Sequence, residues 1–252
     1  MNNTQIEIKV RQRLNKLASN DFDNIECWQI VEAFNKAQIE WCRRQLRGTN
    51  QYKEGDEMSK RRIDDLQPLL RELAFGPGGP AIPSGAAVQY TLFTEGIAED
   101  FLEFKKVTAY ATKECCKEDP NGRIMQVYLA EAANVNLMLR DPLKKPSFEW
   151  SETFCTFQGN TLRVYTNNDF EIENIIFQYY RQPRPIEFEG CTDPTNPEGE
   201  EGFSAVSPVD VECEFKDDVA ELIVDEAVSI LAGDVTDVNN YIRGAQQAEK
   251  NN

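Results

Sequence analysis

Residues 161–186, TLRVYTNNDFEIENIIFQYYRQPRPI, restrict what this chain can fold into more than any other stretch. Leu162 and Val164 alternate with Arg163 and Tyr165, and Ile175, Phe177 and Tyr179 resume the alternation further on, which is the period of a strand with one buried face. Between the two runs, Asn167, Asn168 and Asp169 tolerate left-handed backbone and supply a turn. The expected element is an antiparallel hairpin. Its second strand should stop at Pro183 and Pro185, since proline cannot donate to a ladder.

Other runs extend that sheet. Residues 88–94, 101–112, 123–129 and 148–157 read as strands, 131–139 as a short helix, and Gly159-Asn160 as the turn leading into the hairpin. Five or six strands joined by short turns predict an antiparallel sheet or small barrel in an α+β chain.

Helical periodicity occupies both flanks. Thr4 caps a first helix with Ile6, Val10, Leu14 and Leu17 on one face. A second helix, 25–46, is apolar around most of its circumference. Cys27, Ile30, Val31, Phe34, Ala37 and Trp41 form a stripe, and Trp28, Ile39, Cys42 and Leu46 widen it. Such a helix is expected to be buried by several others, in its own subunit or a neighbour's. A third is expected over 58–73, kinked at Pro68. After residue 214, Val219, Leu222, Ile223, Ala227, Ile230 and Leu231 share a face of a helix ending at Gly233, and Thr236 caps a last one.

The chain thus divides into N-terminal helices (1–75), a linker (76–86), a β-rich region with one short helix (87–188), an acidic loop or arm (189–213) and C-terminal helices (214–252). Glycines in FGPGGPAIPSG, residues 75–85, invite comparison with a phosphate cradle. Three prolines there remove amide donors and no Gly-Lys-Ser/Thr follows, so a linker is expected.

With 252 residues, 40% of them hydrophobic, the chain can bury a substantial core. It has no apolar run of membrane-spanning length, and MNNTQIEIKVRQRL lacks the apolar centre of a signal peptide; a soluble, cytoplasmically made protein with no membrane partner is expected. Seven cysteines without a Cys-x-x-Cys pair predict reduced thiols. The net charge of -16 is unevenly placed: residues 187–237 hold 16 acidic residues and one basic residue, Lys216. Arg43, Arg44, Arg47, Lys53, Lys60, Arg61 and Arg62 form an opposing basic block. Blocks of opposite sign suit contacts between stacked subunits or with a partner.

The absence of histidine removes Ser-His-Asp and Cys-His catalysis and the usual zinc and iron sites; Cys115-Cys116 has no histidine to complete one. Glu221 with Asp225, and Asp234 with Asp237, are the remaining carboxylate pairs, and acids on a helix's outer face are ordinarily solvated. No dinucleotide fingerprint, P-loop or kinase signature occurs. No catalytic residue, metal or cofactor is therefore expected. Arg181 and Arg184 beside Tyr179 and Tyr180 could stack bases, but the acidic balance opposes tight binding of DNA.

In order of elements the chain resembles the head-to-tail connector (adaptor or ring) proteins of short-tailed, crAss-like bacteriophages. The likeness is carried by IECWQIVEAFNKAQIEWCRRQLRG (25–48), IIFQYYRQPRPIEF (175–188) and FKDDVAELIVDEAVSILAGD (215–234). It implies a fold in which terminal α-helices form a bundle with the strand-rich middle inserted. It also implies a non-enzymatic virion protein of the neck, assembled in the bacterial host cytoplasm as a twelvefold ring. That ring would sit under the portal protein, contact further tail proteins and pass genomic DNA through its lumen without specific binding. The acidic insert 189–208 departs from the family pattern.

On this reading the candidate interface residues are Trp28, Trp41, Arg43, Arg44, Arg47, Arg61 and Arg62. Tyr180, Arg181 and Arg184 join them at the end of the long strand. The alternative is a tail accessory or protein-binding module, monomeric or dimeric, that uses the edge 179–184.

Overall fold

The computed structural model describes residues 1–15, 25–47, 64–76, 87–91, 100–113, 122–159, 161–191 and 210–234. They fall in two units, Met1–Pro68 with Pro183–Asn252, and Leu69–Gln182. The expected fold class is corrected. The structure is mostly a curled, mixed seven-stranded sheet, a half-barrel, with few helices, rather than a terminal helical bundle with an inserted antiparallel sheet.

Pro68 accounts for part of the difference. A proline has no amide to donate and its ring crowds the preceding turn, so the helix expected over 58–73 stops instead of kinking. The described helical residues 64–66 and a 3-10 turn, Gln67–Leu69, lead directly into strand β1, Leu70–Phe75. Leu73 and Phe75 of β1 then pack on the sheet core.

The strands that follow are β2 (Ala87–Thr91), β3 (Phe101–Thr112), β4 (Arg123–Leu129), β5 (Glu152–Gln158), β6 (Thr161–Tyr165) and β7 (Glu171–Arg181). Their spatial order is β1-β7-β3-β4-β5-β6-β2. β5 and β6 pair antiparallel on either side of the turn expected at Gly159-Asn160. The hairpin expected between β6 and β7 does not form. The turn is there, with Asn167 and Asn168 at φ 52° and 58°, but β6 pairs with β5 and β2 while β7 pairs with β3 and β1. A second correction concerns sheet type. β4 and β5 run parallel, because a crossover containing helix α3 in chain order, Val135–Arg140, returns the chain to the same end of the sheet.

The curl has a local cause. Pairing of β3 with β7 shifts register at three places along β3, and each irregularity bends the strand and raises its twist. Rings from separate strands consequently meet inside. Phe157 of β5 lies 6.4 Å from Phe177 of β7, and Phe75 of β1 lies 6.2 Å from Tyr90 of β2. Val107, Ala109, Met125, Leu162, Val164, Ile175 and Phe177 fill this core.

In the other unit, α1 (Asn3–Asn15), α2 (Cys27–Arg47) and α4 (Asp217–Asp234) bury Ile6, Val10 and Leu14, then Ile30, Phe34, Ala37 and Trp41, then Val219, Ile223, Val224, Ala227 and Leu231. α4 lies against both α1 and α2. Part of the acidic block is neutralised here: Lys9 and Arg13 pair with Glu221, and Arg13 reaches Asp225 at 2.8 Å. Residues 183–191 and 210–216 are irregular chain, with a turn at Glu189-Gly190, tied together by a two-way bridge between Glu187 and Val211. The expectation of reduced thiols is corrected for one pair, since Cys27 and Cys191 are joined by a disulfide. The expected linker, most of the acidic arm and the last helix lie outside the described residues.

Candidate functional site

The residues singled out from sequence do not form one surface. Trp41 is buried and packs edge-on against Phe215 at 5.4 Å, which makes it a core residue. Trp28 is half-buried, its Nε1 donating to Glu26 at 2.6 Å. Arg44 pairs with Glu226 of α4 within the same chain, so it is spent on internal packing, whereas Arg43 is exposed. Arg61, Arg62 and the side chain of Arg47 lie outside the described residues. Tyr180 and Arg181 are each only 4% exposed. The Lys105 ammonium sits 5.0 Å from the Tyr180 ring, and Arg181 Nη1 donates to the Gln182 carbonyl at 2.8 Å. Of the edge 179–184, burial thus leaves little of Tyr179, Tyr180 and Arg181 on the surface. Arg184 is exposed, and its backbone N–H donates to Glu214 Oε1 at 2.9 Å.

A different surface stands out in the sheet unit. Alternation along β4 turns Met125 and Val127 into the core and leaves Ile124 (61% exposed) and Tyr128 outside. The crossover adds Leu137 (69%), Leu143 (91%) and Trp150 (79%). Six large apolar side chains between residues 124 and 150, counting Leu129, are thus exposed, against Ile8 alone in the rest of the described chain. Scattered single exposures are ordinary, whereas this stretch gathers nearly all the large exposed apolar side chains of the described residues.

Local structure explains why Trp150 cannot turn inward. Ser147 and Glu152 exchange backbone hydrogen bonds of 3.0 and 3.2 Å, and the Ser151 amide returns to the Phe148 carbonyl at 3.2 Å. This closes a tight turn with Ser151 at φ 55°. Phe148 points into the core, where Arg123 covers its ring at 4.8 Å and donates to its carbonyl at 2.9 Å. Glu149 and Trp150 are left on the outer side. Asp169 fixes the turn from across the site: Oδ1 accepts from Lys113 Nζ at 2.6 Å and Oδ2 from the Phe148 amide at 3.0 Å. Those two bonds, the lysine's first, hold the Asp169 carboxyl below the usual carboxylate range.

Beside the turn lies a cavity of about 530 Å³ lined by Leu143, Trp150, Lys145, Glu149, Asn167 and Asn168 among others. It places the exposed Trp150 indole beside charged and amide side chains, among them Lys145, Glu149, Glu152, Asn167 and Asn168. An aromatic side chain ringed by polar groups is a common form of binding pocket. Among the described residues no group of three or more Cys, Asp or Glu could hold a metal ion. No described helix is long and apolar enough to cross a membrane.

Sequence reading missed this site because the alternation around Trp150 continues that of β5, and alternation does not say whether an outward residue is covered. The available signal was the polar, turn-forming context of DPLKKPSFEWSE, in which a tryptophan has little to pack on. No known protein family matches the chain, and no curated protein is detectably similar to it.

Proposed function

We propose that this chain is a structural, non-enzymatic subunit of a short-tailed phage head-to-tail connector, one that joins copies of itself into a ring on the portal. The observation that carries the reading is the exposure of Ile124, Leu137, Leu143 and Trp150 within one stretch of the sheet unit, apolar side chains that a neighbouring subunit would cover. Two features support it. The three stretches that resemble connector proteins span both units, and an acidic protein of net charge -16 suits a channel that must pass DNA without gripping it. α2 buries Ile30, Phe34, Ala37, Trp41 and Cys42 within its own chain, so these residues need no neighbouring subunit to cover them.

Electron microscopy and light scattering of the purified chain, alone and mixed with the phage's portal protein, test the proposal. Wild type should enter rings, and the double variant Leu143→Ser, Trp150→Ser should fail to do so while keeping its circular dichroism spectrum. A wild-type chain that stays monomeric in the presence of portal overturns the reading.

A further inference from the structure

The five described cysteines divide into two chemical classes. Cys42, Cys155 and Cys213 are free and buried, and burial pushes their thiols up, Cys155 to about 12, so they stay protonated and inert. Cys27 and Cys191, 164 residues apart, are joined. Their position is informative. Cys27 is the first residue of α2, and Cys191 is the last described residue before a stretch, 192–209, that holds Asp193, Glu198, Glu200, Glu201 and no basic residue.

Up to residue 187 the incoming segment is held by hydrogen bonds. The Asn35 side chain donates to the Ile186 carbonyl at 3.2 Å and accepts from its amide at 2.8 Å. Asn3 Nδ2 donates to the carbonyls of Glu187 and Val211 at 2.9 and 3.0 Å, across the Glu187–Val211 bridge. Past that point the Cys191 amide bonds only locally, to the Phe188 carbonyl at 3.1 Å. Among the described residues no hydrogen bond or ion pair joins residues 189–191 to α2; the disulfide does.

We infer that the Cys27–Cys191 pair is a redox-operated latch that fixes residues 189–191 to the N-terminus of α2 when oxidised and frees them when reduced. Closure takes an oxidant of the small-disulfide class, such as oxidised glutathione. The half-buried Cys27 sulfur sits at the N-terminus of a 21-residue helix, whose unpaired amides favour an anionic sulfur there. As a thiolate it attacks one oxidant sulfur and expels one glutathione thiolate, leaving a mixed disulfide. Cys191, having lost its proton to solvent, then attacks the Cys27 sulfur and expels the second. Two protein thiols become one disulfide, and one small disulfide becomes two thiols. In a thiol-reducing compartment the reverse exchange prevails and the latch is open. Residues 189–191 then keep no described bond to α2, although Phe188 stays buried in its own unit.

The inference is independent of the ring proposal and is tested on the full chain in glutathione buffers. Peptide mapping without reductant should find residues 27 and 191 cross-linked in oxidised buffer and both alkylated after dithiothreitol. Hydrogen exchange over 25–31 and 188–191 should speed up at least about tenfold on reduction, with β3, β5 and β7 unchanged. The thermal midpoint should fall by about 5–10 °C. The double variant Cys27→Ser, Cys191→Ser should behave as the reduced form in both buffers. Failure to find the cross-link at any glutathione ratio overturns the inference, and so does a wild-type chain whose exchange at 188–191 ignores reduction.

Discussion

Glu226 shows how one buried side chain sets a pH response. Burial in the contact between α4 and α2 raises its carboxyl, the nearby Glu40 charge adds to the effect and the Arg44 ion pair only partly offsets it, leaving a value of about 7. The folded-state value lies above the unfolded one, so the folded chain binds the extra proton. That stabilisation is fully present below the ordinary glutamate range near pH 4.5 and is lost as pH rises through 7. Glu226→Gln should therefore flatten the pH dependence and exceed wild type by about 1–2 kcal/mol at pH 8. Urea midpoints at pH 5 and pH 8 check this, and a variant less stable than wild type at both would refute the account.

At the scale of the element, β4 turns one face to the core and the other to solvent, and adjacent positions should respond oppositely to substitution. Met125→Ala opens a cavity in the sheet core and should cost about 2–5 kcal/mol. Ile124→Ser, one residue away on the exposed face, should stay within about 0.5 kcal/mol for the isolated chain. Chemical denaturation of both variants is the check; equal costs would mean that the face assignment is wrong. This same alternation made most strands readable in advance, and the i, i+4 spacing of Ile6, Val10 and Leu14 did so for α1. Periodicity, however, reports which faces a residue shares and not which strand lies alongside. The β6–β7 turn was legible in Asn167-Asn168 while the partners of both strands were not. Residues 70–73 read as helix because Leu66, Leu69, Leu70 and Leu73 share a helical face, and only the pairing of Leu73 with Phe177 and Phe75 with Ile175 decides for a strand. The site at Trp150 was hidden for a related reason, since exposure belongs to the tertiary structure.

Over the whole molecule, charge is sorted rather than balanced. Residues 187–237 hold nearly all of the net -16, and α1 and Arg44 neutralise only part of it inside the chain. Such a surface should repel a phosphate backbone. Fluorescence anisotropy with duplex DNA at physiological salt should give a Kd weaker than about 10⁻⁴ M, and tighter, salt-sensitive binding would contradict the channel-wall reading. The sheet order has its own consequence for how the chain comes together. β6 and β7 are neighbours in sequence with a well-made turn between them, yet each finds its native partners elsewhere: β7 must meet β1 and β3, and β6 must meet β2. Such distant pairings place this unit among slow folders. Because β7 is the last of the described strands in the chain and sits between two early ones, β1 and β3, the ribosome must release the whole unit before the sheet can close.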